Sequence, residues 1–119
     1  MCGIIGYIGK KSAVPILLEG LKKLEYRGYD SSGIGIITPT NKGVTVCKAE
    51  GKIYRLEELI QSRPCPESSL GISHTRWATH GIPNRTNAHP HADCSGKILV
   101  VHNGIIENYA QIKASLKKE

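Results

Sequence analysis

The sequence predicts one α+β domain with antiparallel strands, and three observations indicate that class. A chain of 119 residues has the length of a single domain. Hydrophobic residues make up 39% and charged residues 22%, close to globular averages, which excludes disordered and collagen-like chains. Strand-like and helix-like apolar segments alternate along the chain, and two of the strands are joined by a turn-rich segment. A hairpin between helices favours layers of helix on antiparallel sheet.

The first half of the chain is predicted to contain a strand, a helix, a hairpin and a second helix. Residues 3–9 are Ile-rich and flanked by glycine, as in a strand. Ser12 is a suitable N-cap for the first helix, Pro15 fits its first turn, and Gly28 can end it. The hairpin joins strands 32–37 and 44–49 through turn residues. The apolar positions of the second helix are Ile53, Leu56 and Ile60.

The second half is predicted to contain two strands, a long polar loop and a final helix. Residues 63–69 form a loop and residues 70–74 a strand. Residues 75–97 are polar and show no clear periodicity of apolar residues, so they are predicted to form a loop. A loop of that length in a small domain is usually functional. Residues 98–102, ILVVH, predict a buried strand, and an amphipathic helix follows from Ile105.

Charge and cysteine usage narrow the function classes. The net charge is +6, but the lysines occur as short pairs, which favours a solvated surface over a nucleic-acid interface. Six aromatic residues and no Phe offer few stacking platforms for single strands. No apolar run approaches the ~18 residues of a membrane span, and no secretory signal is visible. We therefore expect a cytoplasmic protein with four reduced cysteines, no membrane contact and no nucleic-acid partner.

Cys2 is the first candidate for chemistry. Met1 is normally removed when the second residue is small, which would leave a thiol and a free α-amine on one residue. The amine can then act as base to the thiol, as in enzymes with N-terminal nucleophiles. The alternative is a small buried residue that opens a strand, and Cys2 taken alone favours that alternative.

The segment HTRWATHG, residues 74–81, is the second candidate. Arg76 suits bidentate capture of a carboxylate, and Thr79 and His80 add short-range donors. Trp77 on a loop can cover a ligand and exclude water. A polar loop with one packing Trp is the alternative, but this density of special side chains favours a site.

Two further segments leave their interpretation open. In VVHNGIIEN, residues 100–108, Asn103 and the N–H of Gly104 can form an oxyanion hole, or they can form a tight turn into a helix. In EYRGYDSSG, residues 25–33, Arg27 and Asp30 can pair, although a capped helix end is favoured. The histidine spacings match no common zinc pattern, so no metal is expected.

Together these segments resemble the glutaminase domain of the class II glutamine amidotransferases. The motifs that carry the resemblance are MCGIIGYIG, LEYRGYDSSG, HTRWATHG, NAHPH and VVHNGIIENY, which occur in the family's order from Met1 to about Tyr109. The second and third together are more specific than the first, and they favour enzymes that transfer ammonia to fructose 6-phosphate and form glucosamine 6-phosphate. Amidophosphoribosyltransferases and asparagine synthetases share the nucleophile but vary those loops.

The resemblance implies a glutamine amidotransferase. Cys2, N-terminal after Met removal, would attack the glutamine side-chain amide, giving glutamate and ammonia through a γ-glutamyl thioester. Asn103 and Gly104 would hold the oxyanion, and Gly104 would also contact substrate. The residues that would bind glutamine are Arg76, Thr79 and His80, while Trp77 would gate the ammonia path and Arg27 would orient the nucleophile.

The resemblance also implies a fold and a domain organisation. The fold would be a four-layer αββα sandwich of the Ntn-hydrolase type, incomplete at this length. Residues 1–119 would form the N-terminal half of the glutaminase domain, without the sugar-isomerase domains and without the acidic residue that binds the glutamine α-amine. The expected partners are glutamine and, through the isomerase part, fructose 6-phosphate, in a homo-oligomer with no cofactor. The alternatives are a truncated, inactive remnant or another class II amidotransferase such as an amidophosphoribosyltransferase.

Overall fold

A computed structural model describes residues 1–38 and 43–119 of the chain. A four-stranded antiparallel sheet carries two helices, and a short two-stranded ribbon and a third helix follow it. The strands are β1 (Gly3–Ile8), β2 (Ser31–Thr38), β3 (Gly43–Glu50), β4 (Leu70–Arg76), β5 (His91–Ala92) and β6 (Leu99–Val100). The helices are α1 (Ala13–Lys23), α2 (Ile53–Ser62) and α3 (Tyr109–Leu116).

The strands of the main sheet lie in the order β1-β4-β2-β3, and every neighbouring pair is antiparallel. The late strand β4 therefore inserts between the N-terminal strand and the hairpin. Its register places His74 opposite both Ile4 of β1 and Gly33 of β2. This insertion brings the segment that follows β4 to the end of the sheet where the chain starts.

One face of the sheet is covered by α1 and α2. Side chains alternate between the faces of a strand, so every second residue of β2 points toward the helices. The helices meet them with apolar residues at helical spacing. The buried cluster consists of Ala13, Val14, Leu17, Leu21, Ile34, Ile36, Cys47, Ile53 and Leu56. Burial of each large aliphatic side chain contributes about 1.5–3 kcal/mol, so this face supplies most of the stability.

The opposite face of the sheet is lined by glycine where the segment before β5 crosses it. A Cβ atom built on Gly33 would lie 2.1 Å from the carbonyl oxygen of His89. A Cβ atom on Gly35 would lie 2.6 Å from a methyl group of Leu99 and 3.2 Å from the ring of Pro90. Only glycine allows the backbone of the crossing segment to approach the sheet this closely.

Several expected elements are confirmed and two are corrected. Ser12 occupies the N-cap position of α1, although its side chain makes no capping hydrogen bond, and Gly28 ends a 3-10 turn, Glu25–Arg27, that extends the helix. The buried strand predicted over 98–102 is wrong, because only Leu99–Val100 pair, with β5 alone, and Val100 is 54% exposed. The final helix starts later than predicted, at Tyr109, and none of its residues is buried. Of the turn predicted between the hairpin strands, residues 39–42 lie outside the described residues.

Gly33→Ala is expected to lower the free energy of unfolding by about 1–3 kcal/mol, because the new methyl group overlaps the His89 carbonyl oxygen. Gly6→Ala is the matched control in the same sheet, since a Cβ atom there meets nothing within 4 Å. Urea denaturation followed by circular dichroism measures both variants. Equal stability of the two variants would contradict the close approach at Gly33.

Candidate functional site

The N-terminus and Cys2 lie against two separate loops. The Met1 ammonium donates hydrogen bonds to the carbonyl oxygens of Arg27 (2.8 Å) and Gly28 (3.1 Å). The Cys2 sulfur accepts a hydrogen bond from the backbone N–H of Trp77 at 3.2 Å. The 3-10 turn before β2 and the loop after β4 therefore hold the first two residues. Cys2 itself is half-buried.

Asn103 reaches the same place from the end of β6. Its Nδ2 lies 3.4 Å from the carbonyl oxygen of Cys2, and its Oδ1 lies 2.7 Å from Nε2 of His74. Because Oδ1 can only accept, His74 donates through Nε2, and this bond directs the Asn103 amino group toward Cys2. Gly104 follows with a φ of 141°, where a side chain would be strained and its Cβ would lie 3.1 Å from the His102 ring.

The loop after β4 is held by Arg76. Its guanidinium donates to the carbonyl oxygens of His80 and Ile82, the latter at 3.3 Å. Thr79 and His80 are exposed on this loop, and Trp77 is 53% exposed. Arg76 ends β4, and Thr79 and His80 lie on the loop that follows it beside Cys2. The guanidinium of Arg76 binds carbonyl groups of that loop.

Asp30 is a residue of the site whose role the sequence analysis did not find. Its Oδ2 accepts the N–H of Ala78 at 2.6 Å, and its own N–H donates to the carbonyl oxygen of Arg76 at 2.8 Å. Among the described residues Asp30 makes no ion pair with Arg27, so the pairing considered from the sequence is not found. Asp30 instead fixes the position of the loop that carries Trp77. No local pattern signals this role, because the contact spans 48 positions.

Three histidines pack together beneath Asn103. The rings of His74 and His89 stack with centroids 4.4 Å apart, and His91 meets His89 edge-on at 4.5 Å. Burial lowers the pKa of His74 and His91, and burial together with the neighbouring His74 lowers the pKa of His89 to about 4. These lowered pKa values favour the neutral form of the rings, and Nδ1 of His74 is buried with no hydrogen-bond partner among the described residues. Within the described part of the chain, no three ligand-type side chains are grouped for a metal ion.

The chain is similar over nearly its whole length to the N-terminal portion of curated proteins named glutamine--fructose-6-phosphate aminotransferase [isomerizing]. It is 52% identical to the protein of Gloeobacter violaceus over 99% of the chain, and 57% identical to that of Pyrococcus horikoshii over 99%. The protein of Caldanaerobacter subterraneus is 57% identical over 100% of the chain. The chain spans 19% of the length of each of these relatives. A scan against protein-family models found no match.

A solved structure supports the same assignment. The fold matches the glutamine phosphoribosylpyrophosphate amidotransferase from B. subtilis with a TM-score of 0.74 and 26% identity, over 99% of this chain and 25% of that one. The α+β class with antiparallel sheets is thereby confirmed as that of an Ntn-type amidotransferase. None of the helices in residues 1–38 and 43–119 is both long and apolar enough to cross a membrane. Half or more of the residues of the chain are identical to those of the N-terminal portion of these glutamine–fructose-6-phosphate aminotransferases, to which the chain is similar over 19% of their length.

Proposed function

We propose that the chain is the N-terminal half of a glutaminase domain, with Cys2 as its nucleophile once Met1 is removed. The observation that carries the proposal is the convergence at Cys2 of residues distant in sequence. Trp77 donates its N–H to the sulfur, and Asn103 lies at the carbonyl of Cys2, although 75 and 101 positions separate these residues from Cys2. A purely structural cysteine has no need of an amide donor and an arginine loop around it.

The proposed reaction uses the residues that surround the sulfur. The Cys2 thiol gives its proton to the α-amine of the same residue, and the sulfur attacks the side-chain carbonyl carbon of glutamine. The negative charge on the oxygen is stabilised by Nδ2 of Asn103 and the N–H of Gly104. The C–N bond then breaks, the leaving nitrogen takes up the proton, and ammonia departs. Water hydrolyses the γ-glutamyl thioester to glutamate and regenerates Cys2.

The loop of residues 76–80 is proposed to bind and enclose the glutamine. Arg76 would exchange a loop carbonyl for the α-carboxylate, which offers a guanidinium a stronger charge-assisted bond. Thr79 and His80 are exposed beside it and add donors. Trp77 would cover the site and gate ammonia, and Arg27 would orient the nucleophile. Before Met1 is removed, the carbonyl oxygen of Arg27 accepts a hydrogen bond from the Met1 ammonium. Asp30 holds the backbone of this loop at Ala78. Closure of the loop over glutamine would therefore pivot near Ala78.

The whole protein would use the ammonia on a sugar phosphate. The names of the relatives support fructose 6-phosphate as acceptor and glucosamine 6-phosphate as product, formed in sugar-isomerase domains that lie outside residues 1–119. The proposal includes a homo-oligomer, which light scattering of the full-length protein tests. A cytoplasmic location is consistent with four free cysteines, since reducing compartments maintain thiols.

A glutamine analogue with a diazoketone in place of the side-chain amide tests the proposal. Intact-mass spectrometry is expected to find a protein without Met1 that takes up one analogue, mapped to Cys2 and blocked by excess glutamine. Cys94, which is exposed, serves as the internal control for non-selective alkylation. Equal labelling of Cys94, or labelling of Cys2 that glutamine does not prevent, would contradict the proposal. A protein that takes up no analogue would be the inactive remnant.

A further inference from the structure

Two cysteines that the proposed glutamine chemistry does not use lie in contact on the face of the sheet that α1 and α2 cover. Cys47 lies on β3 and points toward α2, within the apolar cluster. Cys65 lies in the loop after α2 and packs against the same cluster. Their sulfur atoms are 3.2 Å apart, although the two residues are 18 positions apart in the chain. Both are free thiols.

The loop that carries Cys65 is anchored to the rest of the fold, so the two sulfurs are held close together. Ser68 donates its hydroxyl to the carbonyl oxygen of Ile37 at 2.6 Å, and its own carbonyl accepts the N–H of Ala13 at 2.7 Å. A disulfide needs sulfur atoms about 2.05 Å apart, so the pair must approach by about 1 Å. A shift of that size lies within the reach of side-chain rotation and a small movement of the loop.

We propose that Cys47 and Cys65 form a reversible oxidation site, a dithiol that a hydroperoxide converts to an intramolecular disulfide. The neighbouring thiol and the positive charge of Arg85 support Cys47 as the attacking group. Its hydrogen bond with Cys65 and the guanidinium of Arg85 lower the pKa of Cys47 to about 7, whereas the same hydrogen bond raises the pKa of Cys65. The thiolate is the reactive form of cysteine.

The reaction balances with one hydroperoxide. The Cys47 thiolate attacks one peroxide oxygen, the O–O bond breaks, and the products are a sulfenic acid and hydroxide, which becomes water on protonation. The Cys65 sulfur then loses its proton and attacks the sulfenic sulfur, and the S–OH bond breaks to release the second water. The two thiols lose two electrons and two protons, and hydrogen peroxide is reduced to two water molecules. An external thiol reverses the change by disulfide exchange.

Two features give the pair its chemical role. Cys47 is only 9% exposed, which favours a small oxidant such as hydrogen peroxide over a large disulfide. Cys65 lies against Cys47 and resolves the sulfenic acid before further oxidation. The site is separate from Cys2, whose sulfur contacts Trp77. The pair thus consumes peroxide within the fold, and this role does not depend on the proposed glutaminase activity.

Limited treatment of the chain with hydrogen peroxide, followed by alkylation of remaining thiols, tests the proposal. Trypsin separates the two residues by cutting after Lys48 and Arg55, so the disulfide joins two identifiable peptides. We expect one linkage, Cys47 to Cys65, with a loss of about 2 Da in the intact chain and full recovery with dithiothreitol. In Cys65→Ser, a 1,3-diketone is expected to trap the sulfenic acid at Cys47.

Cys94→Ser is the matched control and should leave the linkage unchanged, because Cys94 is exposed and outside the apolar cluster. The proposal is overturned if Cys47 joins Cys2 or Cys94 instead, or if linkage arises only between chains. It is also overturned if Cys94 reaches the sulfonic acid while Cys47 and Cys65 remain alkylated as thiols. Denaturing the chain in urea before the peroxide treatment should remove the preference for the 47–65 linkage, and an unchanged preference would contradict the role of the fold.

Discussion

Cys2→Ser is expected to lower glutamine hydrolysis by about 10⁴-fold or more in the full-length protein, the scale of losing a covalent nucleophile. A hydroxyl group is a far weaker nucleophile than a thiol at neutral pH, and the Trp77 N–H that contacts the sulfur cannot compensate for that loss. Release of glutamate from glutamine measures the effect. Synthesis with added ammonia should persist, because that half-reaction does not need the thioester.

Cys94→Ser is the control for this prediction, since it removes an exposed thiol with the same chemical change. It should leave hydrolysis within about twofold of the unaltered protein. If Cys2→Ser retained more than a tenth of the activity while keeping its fold by circular dichroism, Cys2 would not be the nucleophile. Loss of activity with added ammonia as well as with glutamine would indicate misfolding instead.

Asn103→Asp is expected to lower kcat for glutamine hydrolysis by about 10²–10³-fold, the usual effect of losing one oxyanion donor. The aspartate keeps the oxygen that accepts from His74, so the contact at 2.7 Å survives. It replaces the amino group that faces Cys2 with a negative oxygen, which repels the developing oxyanion. Because the lost interaction exists mainly in the transition state, KM for glutamine should change little.

Asn108→Asp is the matched control, because Asn108 is exposed at the N-cap of α3, where aspartate is equally suitable. It should hydrolyse glutamine at the rate of the unaltered protein. A rise in KM with constant kcat for Asn103→Asp would make Asn103 a substrate-binding group and exclude the oxyanion role. Steady-state kinetics on both variants distinguishes these results.

Local patterns predicted the elements whose neighbours in space are also neighbours in sequence. Helix α1 follows from the spacing of Val14, Leu17 and Leu21, and the hairpin follows from two strands around a turn. The predicted burial of residues 98–102 was wrong. An apolar run shows that a strand is suited to burial, but it does not show whether another part of the described chain packs over that strand. Val100 pairs with His91 alone and stays half-exposed.

The sequence predicted which chemical role each candidate residue can take. It did not predict which residues contact these candidates in the folded chain. An asparagine before a glycine at a strand end suggests an oxyanion hole, but its orientation depends on His74, which is 29 positions away. The sequence left open a pairing of Asp30 with Arg27 while favouring a capped helix end, and Asp30 holds the backbone of Ala78. A charge beside an arginine in sequence predicts an ion pair only if the intervening turn allows it.

The sequence by itself determined most elements of the fold, the residues able to carry glutamine chemistry and, through their order, the resemblance to an amidotransferase family. These properties depend on side-chain type and on spacings of a few residues. Only the tertiary structure decided that β4 inserts beside β1, that Trp77 and Asn103 meet at Cys2, and that Cys47 touches Cys65. Such contacts join residues 18 to 101 positions apart, and their formation depends on how whole layers pack, which no local spacing encodes.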